Sequence, residues 1–230
     1  MAHYDNFSTR RPTVLGRWIG VRATLELAKF AARVWPGATD ILEIGPGRGV
    51  LARHYVQKGC RYLCYEPNGR LAEELSCAGF KVKARAVPPV DENDATFDLA
   101  IASHVLEHLN GPASAFDFVS ELARVVRPGA GVILATPNYN YWGPLFYDCD
   151  YTHAFPVTPA RIRQLFSDAG LETILVTNRY ASLGWFPGWL CDSGIRALLL
   201  PLRMLHITTH RVLKAGMLFR PSIIALGRKR

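Results

Sequence analysis

The sequence predicts a single α/β domain: a doubly wound, mostly parallel sheet with an N-terminal helix and a helical C-terminal cap. Three observations predict it. Short apolar strand-like runs alternate with helical ones from Asp40 to Ala135. The run DILEIGPGRG passes from a strand through a glycine-rich turn into a helix. The 230 residues, 49% of them hydrophobic, suit one such domain with additions better than two. Strands alternating with helices imply right-handed crossovers and a parallel sheet buried on both faces.

Thr13 to Trp35 has helical periodicity, with Val14, Leu15, Trp18, Ile19, Leu25, Leu27 and Phe30 broken by basic residues, and Pro36-Gly37 ends it. Asp40 to Ile44 reads as the first strand and Gly49 to Lys58 as a helix. Tyr62 to Tyr65 is a second strand, Gly69 to Cys77 a helix, Phe80 to Ala84 a third strand and Phe97 to Ala102 a fourth. Pro112 to Val126 is a helix with Phe116, Val119, Leu122, Ala123 and Val126 on one face, closed by Pro128-Gly129. Gly131 to Ala135 is a fifth strand. A helix near Pro159 to Ala169 and a strand near Leu171 to Val176 follow. After the long apolar and basic segment from Ser182 to Phe219, Ser222 to Gly227 reads as a last, antiparallel strand.

Composition narrows the class. The five cysteines, Cys60, Cys64, Cys77, Cys149 and Cys191, include no CxxC pair, which argues for reduced, cytoplasmic thiols over a disulfide framework or a zinc finger. The start, MAHYDNFSTRRP, lacks the apolar run of a signal peptide. No stretch reaches about 18 uninterrupted apolar residues. The net charge is +8, yet the first 192 residues carry equal numbers of acids and bases. The whole excess comes from Arg196, Arg203, Arg211, Lys214, Arg220, Arg228, Lys229 and Arg230. These are spread through an apolar tail and not along a basic face with aromatic readers, which argues against nucleic acid.

The glycine turn is where a ligand is expected. Gly45 and Gly47 let the backbone turn tightly and approach a ligand, and the helix after Gly49 presents unpaired N–H groups. About 20 residues on, the second strand ends in CYEP, which places Glu66 where a carboxylate accepts both hydroxyls of a ribose. A nucleoside cofactor is the expectation. The glycines read G-P-G-R-G, with the third one position earlier than in the dinucleotide fingerprint G-x-G-x-x-G, and Glu43 lies two residues before the turn.

LEIGPGRG, the Glu66 strand end, FDLAIASHVLEHL and RVVRPGAGVILATPN resemble, in order and spacing, the successive motifs of class I S-adenosylmethionine-dependent methyltransferases. The resemblance runs from about Ile41 to Thr177. It implies a Rossmann-like fold with residues 1–180 as the S-adenosylmethionine-binding methyltransferase domain. Residues 181–230 would form a basic, apolar helical cap that also supplies the last strand. It further implies that Glu43, Gly45, Gly47 and Gly49 surround the methionine part of the cofactor, that Glu66 binds the ribose and that Ser103 lies on the cofactor side. The family usually has an acid after the third strand near the adenine amino group. This chain has Ala86 there, so either backbone groups or Asp91 make that contact.

The acceptor belongs at the same edge of the sheet, beyond the strand ends. The fourth strand runs into SHVLEHL, placing His104, Glu107 and His108 there; on a helical turn the two histidines, four residues apart, share a face. They either shape the pocket floor and cap the next helix, act as catalytic bases or bind a metal with Glu107 or a loop acid; no metal ion is expected. The loop after the fifth strand is too long for a plain connector. Its Tyr139, Tyr141, Trp142 and Tyr147, with Asp150, suit the walls of an organic-acceptor pocket. His153, before a Thr-Pro helix start, resembles a loop residue of small-molecule O-methyltransferases and is the leading candidate base, with His108 and His104 behind it. Its structural alternative is a cap on the Thr158 helix.

The expected activity is therefore methyl transfer to a small or lipid-linked organic acceptor, with O-methylation ahead of C- or N-methylation. A non-catalytic cofactor- or partner-binding domain of the same fold is the alternative of another class. The tail, with Trp185, Trp189 and its unopposed bases, fits peripheral contact with an anionic membrane, a lid over the substrate or a homodimer surface.

Overall fold

The computed structural model describes residues 14–180, 193–194 and 220–230. Most of the segment read as a basic cap, including Trp185, Trp189, Arg196, Arg203, Arg211 and Lys214, lies outside the described residues.

Helix α1 (Val14–Val34) leads into β1 (Asp40–Ile44), α2 (Val50–Gln57), β2 (Arg61–Tyr65), α3 (Gly69–Cys77) and β3 (Lys81–Lys83). Strand β4 (Phe97–Ser103), a 3-10 turn at Leu106–His108, α4 (Pro112–Val125) and β5 (Val126–Pro137) follow. The loop beyond β5 folds into two short helices, α5 (Tyr139–Trp142) and α6 (Leu145–Cys149), before α7 (Pro159–Asp168) and β6 (Leu171–Arg179). The final strand is β7 (Ser222–Lys229).

The seven strands lie in the order β3-β2-β1-β4-β5-β7-β6. Strands β1 to β5 pair in parallel, and β7 inserts antiparallel between β5 and β6. The expected last strand is thus central to its half of the sheet. Two of the tail's bases serve this arrangement: Lys229 Nζ donates to the carbonyls of Arg124 and Val126 at 3.1 and 2.9 Å. Arg220 donates to the Tyr141 carbonyl at 2.5 Å.

Successive strand residues feed opposite faces, so β1 alone supplies two cores. Leu42 and Ile44 join Phe118, Val119 and Leu122 of α4 and Ile162 and Phe166 of α7. Ile41 joins Leu27 and Ala31 of α1 and Leu51, Ala52 and Tyr55 of α2. Each such side chain contributes roughly 1.5–3 kcal/mol by leaving water. Two details correct the sequence reading. Phe116 is 41% exposed, and Phe118 takes the buried position. Pro128-Gly129 does not simply close α4: the chain enters β5 at Val126, and the β4–β5 register shifts between Phe97 and Leu99 to absorb the extra residues.

The order reverses between β1 and β4, so the loops after these two strands diverge and leave a crevice at their carboxyl ends. The opposite edge is closed by a network in which Asp40 pairs with Arg61 and Arg127, and Asp98 with Arg127. Asp98 also accepts the backbone N–H groups of Thr39 and Asp40, each at 2.9 Å. Those charges hold strand starts together, which leaves the crevice as the place for chemistry.

Candidate active site

One wall of the crevice is the glycine turn. The Gly45 N–H donates to the Tyr65 carbonyl at 2.9 Å, continuing the β1–β2 pairing into the turn. Gly45, Gly47 and Gly49 all have left-handed φ, at 68°, 52° and 68°. The space around them differs. A Cβ at Gly45 would come within 2.8 Å of Val105 Cγ2, and one at Gly49 within 2.5 Å of Leu75 Cδ2, so these two allow close packing. A Cβ at Gly47 would meet nothing within 4 Å. Gly47 therefore faces open space, as a ligand-lining glycine must.

Glu66 stands beside it. Only 4% exposed, it accepts the Gly47 N–H at 3.2 Å on Oε2 and the Asn68 N–H at 2.9 Å on Oε1. Asn68 in turn caps α3 by accepting the Leu71 N–H at 3.1 Å, so the helix start fixes the residue that orients Glu66. Burial raises the Glu66 pKa, and the two N–H groups oppose the rise. A carboxylate has about four acceptor directions. The two N–H groups occupy two of them, which fits a pair of further donors such as vicinal hydroxyls. Asp91, the alternative adenine contact, is paired with Arg85 on an exposed loop, and its N–H donates to the Tyr65 hydroxyl at 2.9 Å.

Glu43 is 2% exposed and accepts the Tyr62 hydroxyl inside the α1–α2 face. Burial, opposed by that hydrogen bond and reinforced by the charge of Glu66, pushes its pKa up to about 7. An acid whose folded pKa lies above its unfolded value destabilises the fold as pH rises through that interval. The interval runs from 4.5 to about 7, corresponding to about 3 kcal/mol. Glu43→Gln should therefore gain stability relative to the unaltered chain by roughly that amount between about pH 4 and about pH 8. Denaturant unfolding of the cofactor-free chain at both pH values checks it; a pH-independent difference would remove the buried-acid assignment.

The other wall follows β4. His104 is left-handed, at φ 57°, while its N–H still donates to the Ala135 carbonyl at 2.8 Å. This corrects the helical reading of HVLEH: His104 stands outside the 3-10 turn, and His104 and His108 do not share a helical face. Histidine is among the few residues that tolerate this conformation, which concentrates at functional sites. His104 Nδ1 lies 3.0 Å from Glu107 Oε1, with the histidine side chain 54% exposed and the glutamate side chain 1%. Burial disfavours charge on both, but their mutual hydrogen bond and attraction prevail: the His104 pKa is raised and the Glu107 pKa lowered. An ionised carboxylate only accepts, so Nδ1 carries the proton and Nε2 the lone pair of the neutral ring.

Glu107 is the hub of this wall, a role beyond the metal partnership its spacing suggests. Its Oε2 accepts the Thr136 hydroxyl at 3.0 Å, and its backbone carbonyl accepts the N–H groups of Ala154 and Phe155 at 2.9 and 3.1 Å. The available signal was an acid inside the apolar run VLEHL.

These bonds draw the 150–155 loop onto the β4 turn. His108 Nδ1 lies 2.8 Å from Thr152 Oγ1, whose own proton goes to Asp150 Oδ1 at 2.7 Å, so His108 is the donor. Burial lowers the His108 pKa. His153, 9% exposed, donates from Nδ1 to the Phe146 carbonyl at 2.7 Å, and its ring sits edge-on to His108 at 4.8 Å. Thr158 caps α7 with its own hydroxyl, accepting the Arg161 N–H at 3.3 Å, so His153 is not that cap.

The aromatic loop divides. Trp142 is buried, and its Nε1 donates to the Pro221 carbonyl at 3.0 Å, which ties α5 to the start of β7. Tyr139 packs edge-on against Phe146 and Tyr147 at 5.6 and 6.0 Å, and Tyr141 against Tyr180 at 6.5 Å. Tyr147 and Tyr151 are 45% and 72% exposed. Asp150 accepts both the N–H and the hydroxyl of Thr152, which makes it a turn-former as well as a neighbour of His108.

Known proteins share sequence and fold with this chain. A family model described as a methyltransferase domain matches residues 17–176. An uncharacterized methyltransferase of Mycobacterium sp. (strain JLS) is 30% identical over 122 residues, 52% of this chain and 46% of that protein. The chain thus matches about half the length of that relative. A ubiquinone biosynthesis O-methyltransferase of Aromatoleum aromaticum is 29% identical over 152 residues, 58% of this chain and 64% of that protein. The crystal structure of magnesium protoporphyrin IX methyltransferase from Synechocystis PCC 6803 with bound SAM superposes with a TM-score of 0.62. That superposition has 13% identity and covers 99% of this chain and 91% of that one. At that identity the likeness concerns the fold.

Proposed function

The chain belongs to the methyltransferase-domain family, and from that premise we propose that it transfers a methyl group from S-adenosylmethionine to a hydroxyl of a small or lipid-linked organic acceptor. The observation that carries the cofactor assignment is the juxtaposition of Gly47, open on its Cβ side, with a buried Glu66 oriented by two backbone N–H groups. Glu66 accepts the ribose hydroxyls, and the glycine turn carries the methionine part, with Ser103 on the facing strand end. S-adenosylmethionine supplies an electrophilic methyl on a sulfonium, so the protein's task is alignment and proton removal.

For proton removal, His104 has the better geometry among the three histidines. It leaves β4 directly across the switch point from the glycine turn, its Nδ1–H is held by Glu107, and its side chain is accessible. A base oriented by a carboxylate in this way can take a hydroxyl proton at Nε2. Tyr139, Tyr141 and Tyr147 supply aromatic surface for the acceptor. The O-methyltransferase relative from Aromatoleum supports a hydroxyl acceptor, and the apolar, basic composition of residues 182–219 supports a lipid-like one or an anionic membrane contact.

Incubation with methyl-labelled S-adenosylmethionine and a matched panel of phenols, aliphatic alcohols and amines tests the reading. Label should enter hydroxyl acceptors. Labelling of amines alone would make the chain an N-methyltransferase, and cofactor binding without turnover on any acceptor would favour a binding domain.

A further inference from the structure

Beside the proposed base lies a second set of groups, of which only Glu107 has a part in the proposed methyl transfer. Glu107, His108 and His153 each place one potential ligand atom within 4.8 Å of the others, although they come from two segments more than 40 residues apart. Metal-bound histidines almost always donate their other ring N–H to a protein acceptor, which fixes the tautomer. Both histidines are already held that way: His153 Nδ1 by the Phe146 carbonyl at 2.7 Å, and His108 Nδ1 by Thr152 Oγ1 at 2.8 Å. Asp150, 2.7 Å from that hydroxyl, extends the second chain. With Nδ1 engaged, Nε2 is the nitrogen through which each ring would meet a metal. The Glu107 carboxylate meets His104, Thr136 and its own backbone N–H, and of its about four acceptor directions one is left for a metal.

We propose that Glu107, His108 and His153 bind one divalent transition-metal ion, of the zinc or manganese type. Two imidazoles with one carboxylate suit those ions, whereas magnesium and calcium prefer all-oxygen sites. Ligand atoms of a tetrahedral zinc lie about 3.4 Å apart, so the three side chains draw together as the ion enters. His104 is the built-in competitor, because its Nδ1–H shares the Glu107 carboxylate. Three protein ligands leave at least one position for water or an acceptor oxygen. The site adjoins the methyl-transfer crevice but is tested by metal binding alone, so its failure leaves the methyltransferase reading untouched.

The experiment is calorimetric titration of the chelator-treated full chain with Zn²⁺ alone and, separately, with Mg²⁺ alone, with thermal unfolding as a check on folding. One Zn²⁺ per chain should bind, with Mg²⁺ weaker by at least about a hundredfold. His153→Gln and His108→Gln should each weaken Zn²⁺ by at least about tenfold, and His104→Gln should leave it unchanged or tighter. Asp148→Asn, an exposed acid outside the cluster, is the neutral control. If a histidine variant fails to fold, Thr152→Val replaces it; losing the His108 partner should weaken Zn²⁺ by about tenfold. Substoichiometric Zn²⁺, equal affinity for Mg²⁺, or Zn²⁺ affinity unaltered in His153→Gln or in Thr152→Val would overturn the site.

Discussion

Gly47→Val should abolish S-adenosylmethionine binding while the chain still folds. Two effects combine. The residue sits at φ 52°, where a β-branched side chain is strained by roughly 1–2 kcal/mol. The added carbons would also enter space that nothing in the protein occupies within 4 Å and that the cofactor is proposed to fill. The expected loss is at least about a hundredfold in Kd, equivalent to about 2.8 kcal/mol. Gly59→Val separates the two effects. Gly59 is also left-handed, at φ 78°, and also open on its Cβ side, but it lies in the turn between α2 and β2, away from the crevice. It should show the strain as a lower Tm and keep cofactor affinity. A Gly47→Val chain that folds and binds normally would displace the cofactor from the turn.

His104→Asn should lower kcat by roughly 10²–10⁴-fold toward a hydroxyl acceptor, with S-adenosylmethionine affinity nearly constant. Asparagine is chosen because it also tolerates the left-handed backbone, so the loop conformation is retained. Loss of Glu107 orientation should act through the same step. Glu107→Gln keeps an acceptor near Nδ1 but removes the charge, and kcat should fall with little change in acceptor KM. If His104→Asn turns over normally while His153→Ala does not, the base moves to His153, the residue the sequence singled out first.

That difference shows where sequence reading reached its limit. Gly69–Cys77, Asp40–Ile44 and the β7 strand were legible because apolar periodicity and turn residues are local signals. The turn and strand end proposed to cradle the cofactor were legible for the same reason, because glycines and a strand-end carboxylate are local signals. The acceptor side was not. HVLEH has helical spacing, yet the left-handed backbone at His104 is stabilised by hydrogen bonds to Ala135 on the neighbouring strand and to Glu107. The bond from His108 to Thr152 spans 44 residues, and no periodicity encodes it. Trp142 matched an acceptor wall by composition, but its partner, the Pro221 carbonyl, is 79 residues away.

The central claim is that Glu66 and the glycine turn hold the cofactor, and calorimetric titration of S-adenosylmethionine into the unaltered chain and into Glu66→Ala tests it most directly. The unaltered chain should bind one molecule per chain. Removing a carboxylate that accepts ribose hydroxyls forfeits charge-assisted hydrogen bonds worth roughly 1.5–3 kcal/mol. Glu66→Ala should therefore bind at least about tenfold more weakly with its unfolding transition still cooperative. Equal affinity in the two chains, or no binding to the unaltered one, would contradict the account.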